Sequence, residues 1–258
     1  MTLASCEPFR VQLCGTLHIE RAGERFEHHL PGRQGRLLFA YLVINRHRSC
    51  TREELVDAVW AYPADSAREA GLNPLVSKLR RLMGPNVIEG RSALRVVLGD
   101  EAYVDIEWAV EAVHRAESQV ALEHWPLAWG PSLGAMLVSE REFLPGEQAE
   151  WIEDERRFLA DVLVRALEAY SLSTLGIGGT ELPGAVRAAR RLVALAPLRE
   201  TGYQVLMRAL HRQGDVGAAL GVYADLRAVL REELGISPTP ASQEAYAELI
   251  DGRAPGDR

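Results

Sequence analysis

Long apolar runs are missing from this 258-residue chain. Nowhere do about 18 apolar residues follow one another, so no membrane-spanning helix is expected. A basic start followed by an apolar run is missing too. No secretory leader is therefore expected, and the protein is placed in the cytoplasm. Cysteine is scarce. Cys6, Cys14 and Cys50 are odd in number and lack metal-ligand spacing, which points to a reducing compartment and away from a disulfide framework. Lysine is scarcer still: Lys78 is the only one among 29 basic residues. Catalytic signatures are scarce. There is no P-loop, no dinucleotide glycines after a strand, no H-E-x-x-H and no C-x-x-C. The seven histidines show no i, i+4 pairing. His28 and His29 fall on one expected strand and would point to opposite faces, a poor chelate. No enzyme, no cofactor and no metal site are expected.

What is present is ordinary globular material, with 47% hydrophobic and 25% charged residues. The length suits two domains. The net charge of −7 is unevenly spread. Residues 1–99 carry 14 cationic against 10 acidic side chains, whereas residues 100–258 carry 15 against 26. A basic first domain and an acidic second one direct attention to the first for anionic partners.

The stretch Leu72 to Met83 anchors that first domain. On a period of 3.6, Leu72, Leu75, Val76, Leu79, Leu82 and Met83 share an apolar face. Ser77 and Arg81 point the opposite way with Pro74 near them, and Asn73, Lys78 and Arg80 flank that outer face. A small, polar, cationic outer face on an apolar base suits a helix that enters a DNA major groove. Pro74 either lies inside the helix or begins it with Asn73 as cap.

Around this helix the elements follow in order. Phe9, Val11 and Leu13 alternate as a strand, Leu17 and Ile19 continue after Gly15, and Ala22-Gly23-Glu24 reads as a hairpin turn. Phe26, His28 and Leu30 are expected as the return strand. A first helix runs from about Arg33 to Ile44, and Asn45 to Cys50 is a short basic loop. Thr51 with Glu54 forms a capping box for a second helix bearing Leu55, Val56, Val59 and Trp60. Ala61 to Ser66 is a loop before the anchoring helix. Val87-Ile88 and Leu94 to Leu98 form a closing hairpin with Arg91 at its tip and Arg95 on an arm. Sheet, three helices and hairpin make an α+β winged helix over residues 9–99, with the hairpin as the wing.

After Gly99 the pattern is helical. Helices are expected over Asp105–His124, Gly146–Leu175, Leu182–Ala196, Arg199–Gln213, Val216–Leu234 and Ser242–Ile250. Trp125 to Gly134 is a connection, followed by an undecided segment at Leu133–Val138. Gly176 to Thr180 is a loop. At an offset of 34, Ala185 matches Ala219, Val186 matches Leu220, Leu192 matches Leu226 and Leu195 matches Val229. That period with paired helices is tetratricopeptide-like and makes residues 105–250 an all-α repeat domain. Trp60 is expected in the core. Trp125 and Trp129, near Pro126 and Pro131, are candidates for a partner interface. The acidic run Glu150 to Glu155 is a solvated face.

Several stretches carry a family resemblance. They are Gly35-Arg36-Leu37-Leu38, Leu55 to Trp60, Leu75 to Leu82, Ala196-Pro197-Leu198-Arg199-Glu200, and Glu232 to Pro240, read EELGISPTP. Over roughly Phe9 to Ile250 the chain resembles the actinobacterial antibiotic regulatory protein (SARP) family of transcriptional activators. These carry a response-regulator-like winged helix followed by a bacterial transcriptional activator domain (BTAD). The resemblance implies double-stranded DNA with direct repeats near promoters, RNA polymerase and a neighbouring copy on DNA as partners. By the same analogy Ala61, Tyr62 and Pro63 would face polymerase. The wing departs from the family by carrying Ser92-Ala93-Leu94 where a glycine-tyrosine pair is usual.

The expected site follows from the chemistry of the two grooves. Ser77 and Arg81 face the bases, with Arg81 suited to guanine O6 and N7. Asn73 belongs to the same surface, and the Pro74 ring could touch a thymine methyl. Lys78 and Arg80 reach phosphates, as do Arg33 and Arg48 from the first helix and its loop. Arg91, with Arg95 on its arm, could enter a minor groove. The competing reading is a helical-repeat adaptor whose winged helix does not read DNA.

Overall fold

The computed structural model describes residues 8–60, 66–84 and 86–251. Two compact units are described separately. One holds the described residues up to Trp108 together with Arg141–Phe158; the other holds Ala109–Glu140 and the described residues from Leu159 onward.

The first unit opens with β1 (Arg10–Gln12), β2 (His18–Arg21) and β3 (Glu24–Arg25). Val11 sits opposite Ile19 in the β1–β2 ladder, and both are fully buried. Ala22 and Gly23 have φ of 55° and 77°. Two successive positive φ values are what a tight hairpin turn with the right twist demands. The return strand expected at Phe26, His28 and Leu30 does not form there; the pairing is confined to β3. After Arg25 the chain turns into a single 3-10 turn, Glu27–His29. The Glu27 carboxylate explains the break. It accepts the Ile19 amide at 3.2 Å and the Arg25 guanidinium at 2.7 Å, so it turns back on its own hairpin.

Next come α1 (Gly32–Ile44), β4 (Cys50–Thr51), α2 (Arg52–Trp60) and α3 (Ser66–Met83). The hairpin β5 (Ile88–Glu89) and β6 (Ala93–Val96) follows, and then β7 (Tyr103–Val104). The sheets are ordered β3-β2-β1-β7 and β4-β6-β5. The basic loop therefore ends in a strand that sequence periodicity missed. Two residues are too few to alternate visibly, and β4 exists because β6 pairs with it, Cys50 opposite Leu94. The capping box forms as expected: the Thr51 amide donates to Glu54 at 2.8 Å, and the Glu54 amide to the Thr51 hydroxyl at 3.2 Å. Leu37, Leu38, Leu42, Leu55, Val59, Leu72, Leu79 and Leu94 are buried in the core beneath the three helices and the hairpin. This is the expected winged helix. Trp60 is half-buried rather than in the core, its ring edge against Gly71 of α3.

β7 returns parallel to β1, and Asp105 begins α4 (Asp105–Ala121) beside it. The Asp105 carboxylate is 1% exposed and accepts the amides of Leu13 and Cys14, each at 2.9 Å, and of Ile106 at 3.0 Å. Burial raises its pKa above the usual carboxylate value, against the pull of those three amides. The start of α6 (Glu150–Ile177) belongs to this unit and adds Trp151, whose Nε1 donates to the Ala58 carbonyl at 3.0 Å and whose ring meets Tyr41 edge-on.

The second unit is helical: the rest of α4, α5 (Trp125–Ser139), the rest of α6 (Glu150–Ile177), α7 (Leu182–Leu195), α8 (Glu200–Arg212), α9 (Val216–Leu234) and α10 (Pro240–Ile250). The expected connection at Trp125 to Gly134 is instead helix α5. Pro126 sits in its first turn, where a missing amide is harmless, and only Pro131 interrupts it. Likewise α6 runs through Gly176 to Ile177 instead of stopping at Leu175. Gly176 is used for close approach: a Cβ there would lie 2.4 Å from the Trp125 indole.

α7 and α9 begin 34 residues apart, as the internal repeat requires. Ala185, Ala219, Leu192 and Leu226 are fully buried, so two of the matched pairs carry the packing. Leu220 is more than a third exposed and Leu195 half exposed, so the other two pairs do not. α8 packs on α7, α9 and α10, and Gly202 lets it reach Leu192 and Val193 of α7. Arginine–glutamate pairs link alternate helices: Glu117–Arg165 from α4 to α6, Glu140–Arg191 across to α7, Glu168–Arg199 from α6 to the start of α8, and Arg208–Glu248 from α8 to α10. Glu200 organises the last turn of the repeat. It accepts the Thr239 amide at 2.9 Å and the hydroxyls of Thr239 and Ser242 at 2.8 and 2.6 Å.

Two predictions follow from these carboxylates. Asp105→Ala leaves the buried Leu13 and Cys14 amides unpaired and should destabilise the protein by roughly 2–5 kcal/mol; chemical denaturation midpoints read this. The Arg165 guanidinium holds Glu117 below its ordinary carboxylate value of 4.5. A lowered folded pKa gives stability that is present above the ordinary value and lost as pH falls through the folded one. Thermal melts between pH 6 and 3 should therefore show a loss below about pH 4.5 that Arg165→Gln flattens.

Candidate nucleic-acid interface

α3 carries its buried stripe at Leu72, Val76, Leu79 and Met83, with exposures of 0, 4, 0 and 4%. That spacing is one helical face. The opposite face presents Asn73, Pro74, Ser77, Lys78 and Arg81, all exposed. Ser77, Lys78 and Arg81 have no side-chain partner among the described residues. Pro74 proves to be an interior residue, nearly midway along a helix that starts at Ser66. It leaves the carbonyl of Ala70 without an amide partner. Ala70 is exposed, so water can take that place. The alternative in which Asn73 caps the helix is thereby removed.

The wing stands beside this face. Ile88 pairs with Val96 and Glu89 with Arg95. Gly90 begins the turn with φ of 91°, and a Cβ there would come within 1.9 Å of the Ala93 carbonyl oxygen. Only glycine fits. Arg80, which sequence reasoning sent to a phosphate, turns its guanidinium to the wing. Its Nε donates to the Ile88 carbonyl at 2.9 Å and its Nη2 to the Gly90 carbonyl at 2.6 Å. Arg91 is exposed at the tip, its side chain without a partner among the described residues. Arg95 pairs with Glu89 at 3.2 Å, both about half exposed, an interaction worth little in water. A cleft of about 250 Å³ lies between helix and wing, lined by Arg52, Asn73, Val76, Ser77, Arg80 and Arg91 among others.

The remaining expected cations are matched to carboxylates. Arg33 donates to Glu147 at 2.6 Å and to the Gln148 carbonyl at 3.2 Å, and Arg36 shares Glu147 at 3.0 Å. Arg48 donates to Glu54 at 3.1 Å and to Asn45 at 3.0 Å. The Thr51 amide, with Arg48, holds the Glu54 carboxyl below its ordinary value, so that pair carries no net charge near neutrality. The structure thus places Asn73, Ser77, Arg80 and Arg91 around one cleft, with Pro74, Lys78 and Arg81 on the same exposed helix face, and leaves Arg95 paired with Glu89 on the wing. It leaves Arg33 and Arg48 balanced by their own neighbours.

Sequence reasoning missed Arg52, which lines the cleft. One signal was available. A cation at the first position of a helix opposes the helix dipole, so arginine there calls for another explanation.

Of the expected partner residues, Ala61, Tyr62 and Pro63 lie outside the described residues. Trp125 and Trp129 are half-buried within their own unit. Trp125 lies on Gly176, and Trp129 donates to Glu181 at 3.3 Å beside the Tyr170 ring. Among the described residues no group of His, Cys, Asp and Glu is placed to hold a metal, and no helix is long and apolar enough to cross a membrane.

Known proteins match this arrangement. A family model described as bacterial transcriptional activator domain matches residues 104–250. The regulatory protein AfsR of Streptomyces coelicolor is 30% identical over 242 residues, covering 93% of this chain and 24% of AfsR. The transcriptional regulator RedD of the same organism is 29% identical over 230 residues, covering 83% of this chain and 63% of RedD. The transcriptional regulatory protein MoaR1 of Mycobacterium tuberculosis is 24% identical over 274 residues, covering 96% and 81%. This chain spans about a quarter of the length of the AfsR proteins it matches. A solved structure of Mycobacterium tuberculosis EmbR in complex with a low affinity phosphopeptide superposes with a TM-score of 0.80 at 21% identity. It covers 95% of this chain and 66% of that one, and it carries the fold.

Gly90→Ala and Gly99→Ala separate conformation from collision at the wing. Both glycines have positive φ, 91° and 88°, but only Gly90 has a carbonyl in the way. Gly90→Ala should be the more destabilising by roughly 1–3 kcal/mol, measured by thermal denaturation of the two variants side by side.

Proposed function

This chain belongs to the family of regulators that carry the bacterial transcriptional activator domain, and we propose that it is a sequence-specific DNA-binding activator whose α3 enters the major groove. One observation carries the reading. Among the described residues, Ser77, Lys78 and Arg81 stand exposed and unpartnered on the outward face of α3, beside an exposed Arg91 at the wing tip, while Arg33, Arg46 and Arg48 are each matched to a carboxylate. Cations left without partners on one surface are what phosphates and guanine edges require.

The roles divide by position. Arg81 and Ser77, on the outer face, read base edges. Lys78 sits beside them and neutralises a phosphate. Arg91 reaches toward the minor groove that a wing borders. Recruitment of RNA polymerase, and a neighbouring copy on a direct repeat, belong to the same proposal. AfsR and RedD, named as regulatory proteins, support the regulatory part of it.

The test is selection of bound duplexes from a random library in about 100 mM salt. Wild type should return a motif. Arg81→Ala should lose roughly 1–3 kcal/mol and relax preference at one base position, whereas Lys78→Ala should weaken all sequences and flatten the salt slope by about one. No enrichment with wild type would overturn the reading in favour of a helical-repeat adaptor. Arg81→Ala with unchanged affinity and preference would overturn the assignment of the reading face.

A further inference from the structure

A side chain that belongs to neither α3 nor the wing bonds to both. Arg52 is the first residue of α2. Its Nη2 donates to Asn73 Oδ1 at 2.6 Å, and its Nη1 donates to the Arg91 carbonyl at 3.3 Å. Asn73 stands on the outward face of α3, and Arg91 is the exposed wing tip. One planar guanidinium therefore spans the mouth of the cleft. Arg80 holds the base of the wing turn, at Ile88 and Gly90. Among the described residues, Arg52 alone holds the carbonyl of the tip residue itself.

We propose that Arg52 is a positioning residue for DNA recognition: it sets the wing tip against the recognition helix before DNA arrives. Arg81 and Arg91 then meet the duplex in one geometry, with the ordering of the tip already done. The inference rests on the DNA-binding reading above. Its chemistry depends on the fork: two donors in a fixed plane reach two acceptors on different elements. Lysine keeps the charge but offers a flexible point donor in place of the fork.

That difference separates positioning from a direct phosphate contact. The full chain is compared as wild type, Arg52→Lys, Arg52→Ala and Asn73→Ala. Arg52→Lys should lose about 5- to 10-fold in affinity for the selected motif, with non-specific binding and the salt slope unchanged. Asn73→Ala removes the acceptor without touching α2 and should lose a similar factor; combined with Arg52→Lys, it should lose little more. Backbone relaxation of the free protein gives the readout that does not involve DNA. Order parameters at Arg91 and Ser92 should fall from rigid values near 0.85 to below about 0.6 in Arg52→Lys, with α3 unchanged.

A phosphate contact predicts the reverse: Arg52→Lys binds like wild type, and Arg52→Ala flattens the salt slope by about one. Either result overturns the inference, as do unchanged order parameters at the tip with DNA binding intact. A wild type that binds no duplex overturns the DNA-binding reading, and the role in recognition falls with it. Relaxation then still separates a fixed wing from a loose one.

Discussion

A buried carboxylate is the constraint from which the first unit is built. Asp105 is almost fully enclosed, and a charge in that position is tolerable only with its oxygens bonded. It finds the amides of Leu13 and Cys14 at the end of one strand run and of Ile106 in its own helix. This ties β1 and the start of α4 at one point. β7 has two residues, too few to hold a parallel pairing alone. The carboxylate that follows it supplies the anchor. Its neighbour Cys14 shares the enclosure, and burial pushes that thiol far above its ordinary pKa, so it stays a neutral packing group. The matched activator-domain segment begins at residue 104, one residue before this anchor.

The same economy of charge distinguishes the candidate interface from its surroundings. Arginines are numerous in the first unit, yet most are answered locally. Arg33 and Arg36 share Glu147, Arg46 grips Glu107, and Arg48 closes on a glutamate that also completes a helix cap. Arg80 and Arg52 are answered by carbonyls and an amide oxygen, and so become parts of the scaffold that holds the wing. Among the described residues, Ser77, Lys78 and Arg81 on one helix face and Arg91 at the tip are left without a partner. The modest positive charge of residues 1–99 thus understates how concentrated the free cations are, because neutralised pairs are counted with the rest.

In the second unit two of the stretches that carry the resemblance are bonded to each other. Arg199 and Glu200 come from Ala196–Glu200; Thr239 comes from the EELGISPTP run. Glu200 holds the start of α10 through Thr239 and Ser242, while Arg199 reaches back to Glu168. Gly235, with φ of 68°, ends α9 in the left-handed conformation, so the chain can turn toward that carboxylate. The motifs are therefore explained as a helix-to-helix joint within the repeat. The arginine–glutamate pairs between alternate helices extend the same device along the unit.

What could be read from the chain alone was whatever depends on neighbours in sequence. The capping box at Thr51 and Glu54, the stripe Leu72, Val76, Leu79 and Met83, the turn at Ala22-Gly23 and the 34-residue recurrence of α7 in α9 are all local, and all stand in the structure. The outward placement of Ser77 and Arg81 follows from the same period. Elements that exist only because a distant segment completes them were not legible. β4 needs β6, and β7 needs β1. The helix through Trp125 and Pro131 needs the packing of its unit to outweigh an interior proline and two glycines. The roles of Arg80, Arg52, Arg33 and Arg48 were likewise decided by tertiary structure. An arginine's sequence position gives its charge, but the hydrogen-bond partners of these four lie up to 115 residues away. Sequence alone determined which faces are apolar and which residues are cationic. Only the fold decided which of those cations remain free, because neutralisation is a matter of distances between segments that the chain order does not contain.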